Sequence, residues 1–334
     1  MRLQRSVTVV DSHTEGNPTR VVIGGVPIPP GETLADRWSW AKERYDGLRH
    51  FLNDEPRGSG MMCSVLVMPP ISSAADFSVI IMEPAEFVPM CGHCIIGTAT
   101  TVVALGMVEV LQPVTTVVIE APAGIVSCEV EVTDQGVGSV TLVNVPSFTL
   151  HHDVTVDVAG YGQVPVSVAF GGDFYAIVDG DPLGVQIDHR NSRPLIDLAR
   201  ALIPAVNQQL EIVHPERPDI DRCYETLITT SLGVALGYRH AVVSPPGDMD
   251  RSPCGTGTSA RLALLYERGE AVVNQAIRFE GLMGTAFNGT IRSVEERAGR
   301  TVVCPAIQGR AYLSAMSTLI LEQDDPFPQG YRIT

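Results

Sequence analysis

The pattern of apolar and polar residues predicts many short strands and a small number of helices. Alternation over residues 5–13 predicts a strand, which leads into a turn over residues 14–20. That turn carries His13, Glu15 and Arg20. Further strands are predicted at residues 21–25, 62–68, 77–82, 114–120, 125–132, 138–145, 166–170, 238–243 and 276–280, and within 302–321. Helical patterns predict a polar helix over residues 34–53 and an amphipathic helix over residues 192–210.

Two other helical runs are apolar, and both follow a Cys-Gly pair. One run extends from Cys91 to Gly106 and the other from Cys254 to Gly269, so glycine is the predicted stop in both. Each run leads into a strand-like stretch that ends in a glutamate, at residues 117–120 and 276–280, and a glycine lies four residues after each glutamate. These correspondences predict two related halves.

A cysteine at the start of a helix lies near the positive end of the helix dipole, which favours the thiolate over the thiol. The free backbone N–H groups of the same turn form a seat for an anion. Two such units on opposite sides of one cleft would hold a carboxylate and present a sulfur, from Cys91 or Cys254, to each of its faces. The arrangement is that of a racemase.

The composition limits the binding partners, the cellular location and the catalytic mechanisms that are expected. The chain has 334 residues and a formal net charge of -15, which argues against nucleic acid and anionic membranes as partners. The N-terminus lacks the apolar core of a signal peptide, and no apolar run reaches the length of a membrane span. Seven scattered cysteines suit a reducing cytoplasm. The single lysine, Lys42, lies in a polar helical stretch, so a pyridoxal phosphate mechanism is not expected.

Three other interpretations of the cysteine motifs stay open at this point. Cys91, His93 and Cys94 could bind a metal, but zinc sites usually take paired ligands from two places and no second pair is present. A Cys–His nucleophile for acyl transfer would explain His93 and leave Cys254 without a role. The cysteines could also be purely structural. The remaining thiols are assigned no chemistry: Cys63, Cys128, Cys223 and Cys304.

Two polar segments are interpreted without chemistry. Residues 147–158 are predicted to be a solvated crossover between domains, because they turn polar and carry adjacent histidines, His151 and His152. The pair Gly171-Gly172 lies at the end of a predicted strand. It is consistent either with a close approach of the backbone to a ligand or with a simple turn.

Five segments of the chain resemble the proline racemase family. Residues 13–20 (His-Thr-x-Gly-x-Pro-x-Arg) resemble its N-terminal motif. Residues 90–93 (Met-Cys-Gly-His) and 250–258 (Asp-Arg-Ser-Pro-Cys-Gly-Thr-Gly-Thr) resemble its two catalytic motifs. Residues 171–174 and 309–311 match later landmarks, so the resemblance spans nearly the entire chain.

The resemblance implies an α/β (α+β) fold of two similar domains, like diaminopimelate epimerase, each with a curved sheet around a central helix and with the active site between them. We expect a first half over residues 1–150, a second over 151–320 and a tail over 321–334 that packs on the first half. The resemblance implies Cys91 and Cys254 as the catalytic acid/base thiols. It also implies a substrate-binding set that lines the amine and the carboxylate: His93 and Asp250 for the amine, and Gly92, Gly255 and Thr256 for the carboxylate.

The function implied is a cofactor-independent, metal-independent epimerisation at Cα of a proline-type amino acid. The preferred reaction converts trans-4-hydroxy-L-proline into cis-4-hydroxy-D-proline; the alternatives are proline racemisation, dehydration of trans-3-hydroxy-L-proline and, more remotely, amino-acid binding without catalysis. Family dehydratases carry Thr at the second catalytic position, so Cys254 favours epimerisation. Ile95 and Ser59 depart from the usual family residues. The expected partner is a small-molecule substrate, and a homodimer is compatible with the prediction.

Overall fold

The computed structural model describes residues 3–233, 235–245 and 247–332. The chain forms two compact units, one made of residues 1–142 and 309–334 and the other of residues 143–308. The domain limits expected from the sequence stay a prediction, and residues 333–334 of the expected tail lie outside the described residues. Within the described ranges, none of the helices is both long and apolar enough to cross a membrane.

The first unit contains three helices and most of the strands of the N-terminal half. Its elements in chain order are β1 (Leu3–Thr14), β2 (Asn17–Gly24), α1 (Leu34–Arg44), α2 (Asp46–Asn53), β3 (Cys63–Met68), β4 (Phe77–Met82), β5 (Phe87–Val88), α3 (Gly92–Ala104), β6 (Val114–Ala121), β7 (Gly124–Thr133) and β8 (Gly136–Val143). The strands pair as β1–β2, β2–β3, β3–β4, β4–β6 and β6–β7; the second and fourth pairs are parallel and the others antiparallel.

The second unit repeats this order. Its elements are β9 (Phe148–Val158), β10 (Gly162–Phe170), β11 (Phe174–Asp179), α4 (Arg193–Gln209), β12 (Glu225–Gly233), β13 (Gly237–Ser244), β14 (Asp248–Met249), α5 (Gly255–Glu267), β15 (Ile277–Glu280), β16 (Ala286–Arg297) and β17 (Arg300–Gly309). The pairs β10–β11, β11–β12, β12–β13, β13–β15 and β15–β16 have the same directions as their counterparts.

The outer strands extend the correspondence. In the first unit β18 (Ala311–Glu322) pairs antiparallel with β1, and in the second β9 pairs antiparallel with β10. Helices α3 and α5 occupy equivalent positions, because α3 packs against β18, β1, β2 and β7 while α5 packs against β9, β10, β11 and β16. The α/β class with two similar halves, each built around a helix, is confirmed.

Both central helices lie inside their units. Every residue from Gly92 to Val103 is buried in α3, and so is every residue from Gly255 to Leu265 in α5. A helix that is apolar on all sides can be stable only when other elements cover all of its faces.

Both central helices also end in the same way. Gly106 and Gly269 have φ angles of +65° and +71°. In this left-handed conformation the chain turns back, and the N–H groups of Met107 and Glu270 bond to carbonyl groups in the last turn, Val102 O at 2.9 Å and Leu265 O at 2.8 Å. The glycine stops predicted from the sequence are confirmed.

Two predictions of local structure are wrong. The helix predicted over residues 34–53 is two helices, because Tyr45 leaves the helical conformation between α1 and α2 with φ -103° and ψ 12°. The crossover predicted over residues 147–158 is strand β9, whose polar residues alternate with buried ones such as Val156 and Val158. Its ladder to β10 satisfies the backbone that a linker would leave to water. Strands β11, β12 and β16 were not predicted.

Gly171 brings a strand turn against the start of α5. A Cβ atom at this position would overlap Thr256 O and lie 2.5 Å from Ala260 N. Asn144 holds the same contact from the side, since its Nδ2 donates to Gly171 O at 2.7 Å and to Ser259 Oγ at 2.9 Å. The Gly-Gly pair therefore permits a close backbone approach to a helix.

We expect Gly171→Ala to lower the free energy of unfolding by about 1–3 kcal/mol, because the added methyl group displaces the first turn of α5. Gly60→Ala is the control; no atom lies within 4 Å of its added Cβ, so we expect a change within about 0.5 kcal/mol. Denaturant unfolding measures both. Equal stability of Gly171→Ala and wild type would show that the contact does not constrain α5.

Candidate active site

Cys91 is the residue that precedes helix α3. It has an extended conformation, with φ -147° and ψ 113°, and its side chain is 4 % exposed. Because α3 begins at Gly92, the N–H groups of the following residues belong to a helical turn without intrahelical acceptors. The Cys91 sulfur lies 3.1 Å from Nδ1 of His93.

His93 is held in place by the turn between β1 and β2. Thr14 Oγ1 donates to the His93 carbonyl at 2.8 Å, and Asn17 Nδ2 lies 3.0 Å from Nε2 of the ring. The Cys94 sulfur lies 3.4 Å from the same nitrogen. The imidazole is thus enclosed by side chains from β2 and from its own helix, with one edge facing Cys91.

These contacts favour a thiolate on Cys91. Burial disfavours the charged sulfur, but a hydrogen bond with Cys94 and the positive charge of His93 outweigh burial and hold the pKa of the Cys91 thiol well below its usual range. Burial likewise disfavours a charged His93, yet the charges of Cys91 and Cys63 raise the pKa of its ring well above the usual range. The pair is therefore arranged as thiolate and imidazolium.

Cys254 precedes helix α5 and has a different backbone conformation. Its φ of +65° lies in the left-handed region, which is strained for a residue with a side chain. The Gly257 N–H donates to the Cys254 sulfur at 3.3 Å. The Tyr175 hydroxyl lies 3.3 Å from the sulfur and 2.6 Å from Thr256 Oγ1. Strand β11 therefore fixes the first turn of α5.

Carboxylates around Cys254 favour its protonated form. Burial, followed by the charges of Asp250 and Glu225, raises the pKa of the Cys254 thiol well above its usual range, although Tyr175 and Thr256 form hydrogen bonds that oppose the shift. Asp250 is buried, and one of its carboxylate oxygens accepts the Ser252 N–H at 2.7 Å.

The two cysteines occupy equivalent positions with opposite electrostatics. Two residues after Cys91 stands His93, and two residues after Cys254 stands Thr256. In the first case a cation stabilises negative charge on sulfur, and in the second a neutral hydroxyl does so while carboxylates oppose it. These surroundings favour the thiolate at Cys91 and the thiol at Cys254.

The structure brings the predicted residues together within each unit. Gly92 and His93 lie in the first turn of α3 beside Cys91, and Gly255 and Thr256 lie in the first turn of α5 beside Cys254. From the N-terminal motif, His13 is exposed at the turn, while Arg20 is buried and binds Asp11 through two hydrogen bonds of 2.8 Å. Arg20 therefore has a structural role.

Sequence reasoning missed several residues that contact the cysteines and their helices or act on them through charge: Asn17, Cys63, Asn144, Tyr175 and Glu225. Asn17 stands inside the 13–20 motif at a position that the motif leaves open. The others lie at strand ends far along the chain from the cysteines, where periodicity carries no signal of a site.

Comparison with known proteins gives a match to the family model described as proline racemase over residues 9–332. A 4-hydroxyproline 2-epimerase from Streptosporangium roseum is 42 % identical over 331 residues, which cover 99 % of both chains. A proline racemase from Clostridioides difficile is 36 % identical over 336 residues, with 99 % of both chains covered.

The fold is similar to that of a solved relative. The crystal structure of a hydroxyproline epimerase from Agrobacterium vitis, with bound trans-4-hydroxy-L-proline, has a TM-score of 0.94 to this chain at 34 % identity. The match covers 100 % of this chain and 97 % of the other.

We expect an alkylating reagent such as iodoacetamide to modify Cys91 at least about tenfold faster than Cys254 at neutral pH, because only the thiolate reacts. Peptide mapping by mass spectrometry measures both rates in the chelator-treated protein. In denaturant the two rates should converge, since the environments that separate the pKa values are lost. Equal rates in the folded protein would contradict the assigned ionisation.

Proposed function

Since this chain belongs to the proline racemase family, we propose that it converts trans-4-hydroxy-L-proline into cis-4-hydroxy-D-proline by moving protons at Cα, without a cofactor. Family membership makes the protein an isomerase of the racemase and epimerase type. The observation that carries the proposal is a pair of buried cysteines at equivalent helix starts, whose surroundings lower the pKa of the Cys91 thiol and raise that of the Cys254 thiol.

Epimerisation requires both forms at once. One sulfur must accept the Cα proton while the other supplies a proton to the opposite face, and after turnover the two have exchanged roles. Two thiolates would leave no acid, and two thiols would leave no base. The cation beside Cys91 and the carboxylates near Cys254 support a resting state with one of each. Because the sites exchange a proton, the pair titrates as a unit in the presence of substrate.

Epimerisation also requires stabilisation of negative charge on the substrate carboxylate, and the starts of α3 and α5 can provide it. The Cα–H bond of an amino acid is very weakly acidic, so its removal needs stabilisation of negative charge on the carboxylate. We assign this role to N–H groups at the starts of α3 and α5, at Gly92, Gly255 and Thr256. Such groups are preorganised, because the turns from β1–β2 and β10–β11 fix both helix starts before substrate binds.

His93 and Asp250 are assigned to the amine side of the substrate. Asp250 is a buried carboxylate, which suits a secondary ammonium group that must leave water. His93 touches Cys91 through Nδ1, so substrate contact and thiolate stabilisation depend on the same ring. In this mechanism Asp250 therefore pairs with the ammonium charge and orients the proline nitrogen, while His93 lines the same side with its own charge balanced by Cys91.

The choice of 4-hydroxyproline over proline follows from the relatives. The 42 % identical relative is named a 4-hydroxyproline 2-epimerase and the 36 % identical one a proline racemase. Proline racemisation is therefore the second candidate. Dehydration of a 3-hydroxyproline is less well supported, since Cys254 supplies the second acid that elimination does not need. The cytoplasmic location and the homodimer stay predictions.

We expect the purified protein to interconvert the 4-hydroxyproline epimers with a kcat/KM at least about tenfold above that for proline. A tenfold preference corresponds to about 1.4 kcal/mol of selective binding free energy. In heavy water the product should carry deuterium at Cα, because the second thiol exchanges with solvent. Chiral chromatography with mass spectrometry measures both. A preference for proline would favour the second candidate, and a product that retains its original hydrogen would contradict the proton mechanism.

We expect Cys91→Ser and Cys254→Ser each to lower kcat for epimerisation at least about 100-fold, because neither thiol can act on the other's face. Cys128→Ser is the matched control, a buried cysteine in strand β7 that should keep wild-type activity. Steady-state kinetics and circular dichroism separate lost chemistry from lost fold. A single active-site mutant with near-wild-type kcat would rule out the two-thiol mechanism.

A further inference from the structure

A cluster of soft metal-binding atoms surrounds His93. Cys63 at the start of β3 and Cys94 in the first turn of α3 meet the His93 ring so that one ligand atom from each lies within 4.8 Å of the other two. All three side chains are buried, and Cys91 lies against the same ring. From the sequence, Cys91, His93 and Cys94 were one open metal-binding interpretation, but Cys63 was assigned no chemistry, because it is far along the chain from the other residues.

The spacing fits a tetrahedral zinc site. Zn–S bonds of about 2.3 Å and Zn–N bonds of about 2.0 Å at tetrahedral angles separate sulfur and nitrogen ligands by roughly 3.5 Å. The Cys94 sulfur lies 3.4 Å from His93 Nε2, and the Cys91 sulfur lies 3.9 Å from the same atom. Cys63, Cys94 and Nε2 of His93 therefore form a donor set of two sulfurs and one nitrogen, and the Cys91 sulfur lies beside Nε2 as the fourth donor that a tetrahedral site requires.

We propose that this cluster is an inhibitory binding site for a thiophilic divalent cation of the zinc class. Cys63, Cys94 and His93 Nε2 bind the ion, and the Cys91 sulfur completes the tetrahedron. The ion displaces Asn17 from Nε2, and the Nε2 proton of the imidazolium and the remaining thiol protons leave to solvent as the nitrogen and the sulfurs become ligands. The donor set consists of thiols and one imidazole, which selects zinc-class ions over magnesium or calcium.

The inhibitory effect rests on the proposed function. A metal-bound thiolate is much less basic than a free one and is held at the ion, so a bound ion weakens Cys91 as a base for the Cα proton and immobilises His93. Substrate and ion compete for the same side chains. Cys63 and Cys94 then act as additional ligands that a site with only the catalytic cysteine and its histidine would lack.

The binding site can be tested without any measurement of catalysis. Cobalt(II) is added to the full-length protein after reduction and chelator treatment, and the near-ultraviolet and visible spectra are recorded. We expect saturation at one equivalent, with intense thiolate-to-cobalt charge-transfer absorption and the visible bands of tetrahedral cobalt. Weak octahedral bands without charge transfer would show adventitious surface binding and overturn the proposal.

Two variants identify the ligands. Cys63→Ser and Cys94→Ala each remove one donor from a different element, and we expect each to weaken cobalt affinity about tenfold or more. Cys128→Ser is the control and should bind cobalt as wild type does, because its thiol lies in another part of the unit. Unchanged affinity in either folded ligand variant would overturn the assignment. The use of two variants keeps the test valid if one of them fails to fold.

Inhibition is measured separately with zinc as the probe. We expect zinc to inhibit the wild-type epimerase competitively with the amino acid and to need about tenfold more ion against Cys63→Ser, with each protein's activity scaled to its own rate without zinc. Cobalt binding with no epimerase activity in any protein would contradict the proposed function and leave the metal site standing. An active enzyme that zinc inhibits equally in wild type and Cys63→Ser would contradict the metal site alone.

Discussion

The contact between a strand turn and the first turn of a buried helix fixes both cysteines. In the first unit the hydroxyl of Thr14 bonds to the His93 carbonyl, and in the second Gly171 lets the turn pack on Thr256 O. Each contact reaches the residue two positions after the cysteine, so the sulfur and the free N–H groups are positioned together. A helix buried on all sides cannot shift without disturbing its whole unit, which makes this positioning rigid.

Cys91 and Cys254 occupy equivalent positions in the two units, but the pKa values of their thiols are shifted in opposite directions. His93 supplies a cation beside Cys91, while Thr256 supplies only a hydroxyl beside Cys254, and the carboxylates of Asp250 and Glu225 add opposing charge. Helix dipoles of the same sign act on both sulfurs, so the dipole alone cannot separate them. The side chains that differ between the halves therefore decide which sulfur is ionised, and the shared fold decides where the sulfurs lie.

Local patterns predicted what depends on local sequence. The Cys-Gly starts, the glycine stops and the apolar character of α3 and α5 identified both central helices, because capping and burial leave signals within a few residues. The strand β9 was missed because its outer face is polar, and the break at Tyr45 was missed because no Pro interrupts residues 34–53 and Gly47 lies inside the first turn of α2. Asn17, Tyr175 and Cys63 reach the site through strand pairing, and no local pattern encodes such long-range neighbours.

The surroundings that lower the pKa of Cys91 also contain metal-binding groups. A thiolate needs a nearby cation or hydrogen-bond donors, and in this unit those come from His93 and from Cys94, which are themselves metal-binding groups. Cys254 obtains its hydrogen bonds from Tyr175, Thr256 and the Gly257 N–H, none of which binds zinc well. The two halves thus surround their cysteine sulfurs with different hydrogen-bonding groups. In the proposed mechanism, the thiol donors of the first unit therefore link proton abstraction at Cys91 to competition from soft cations.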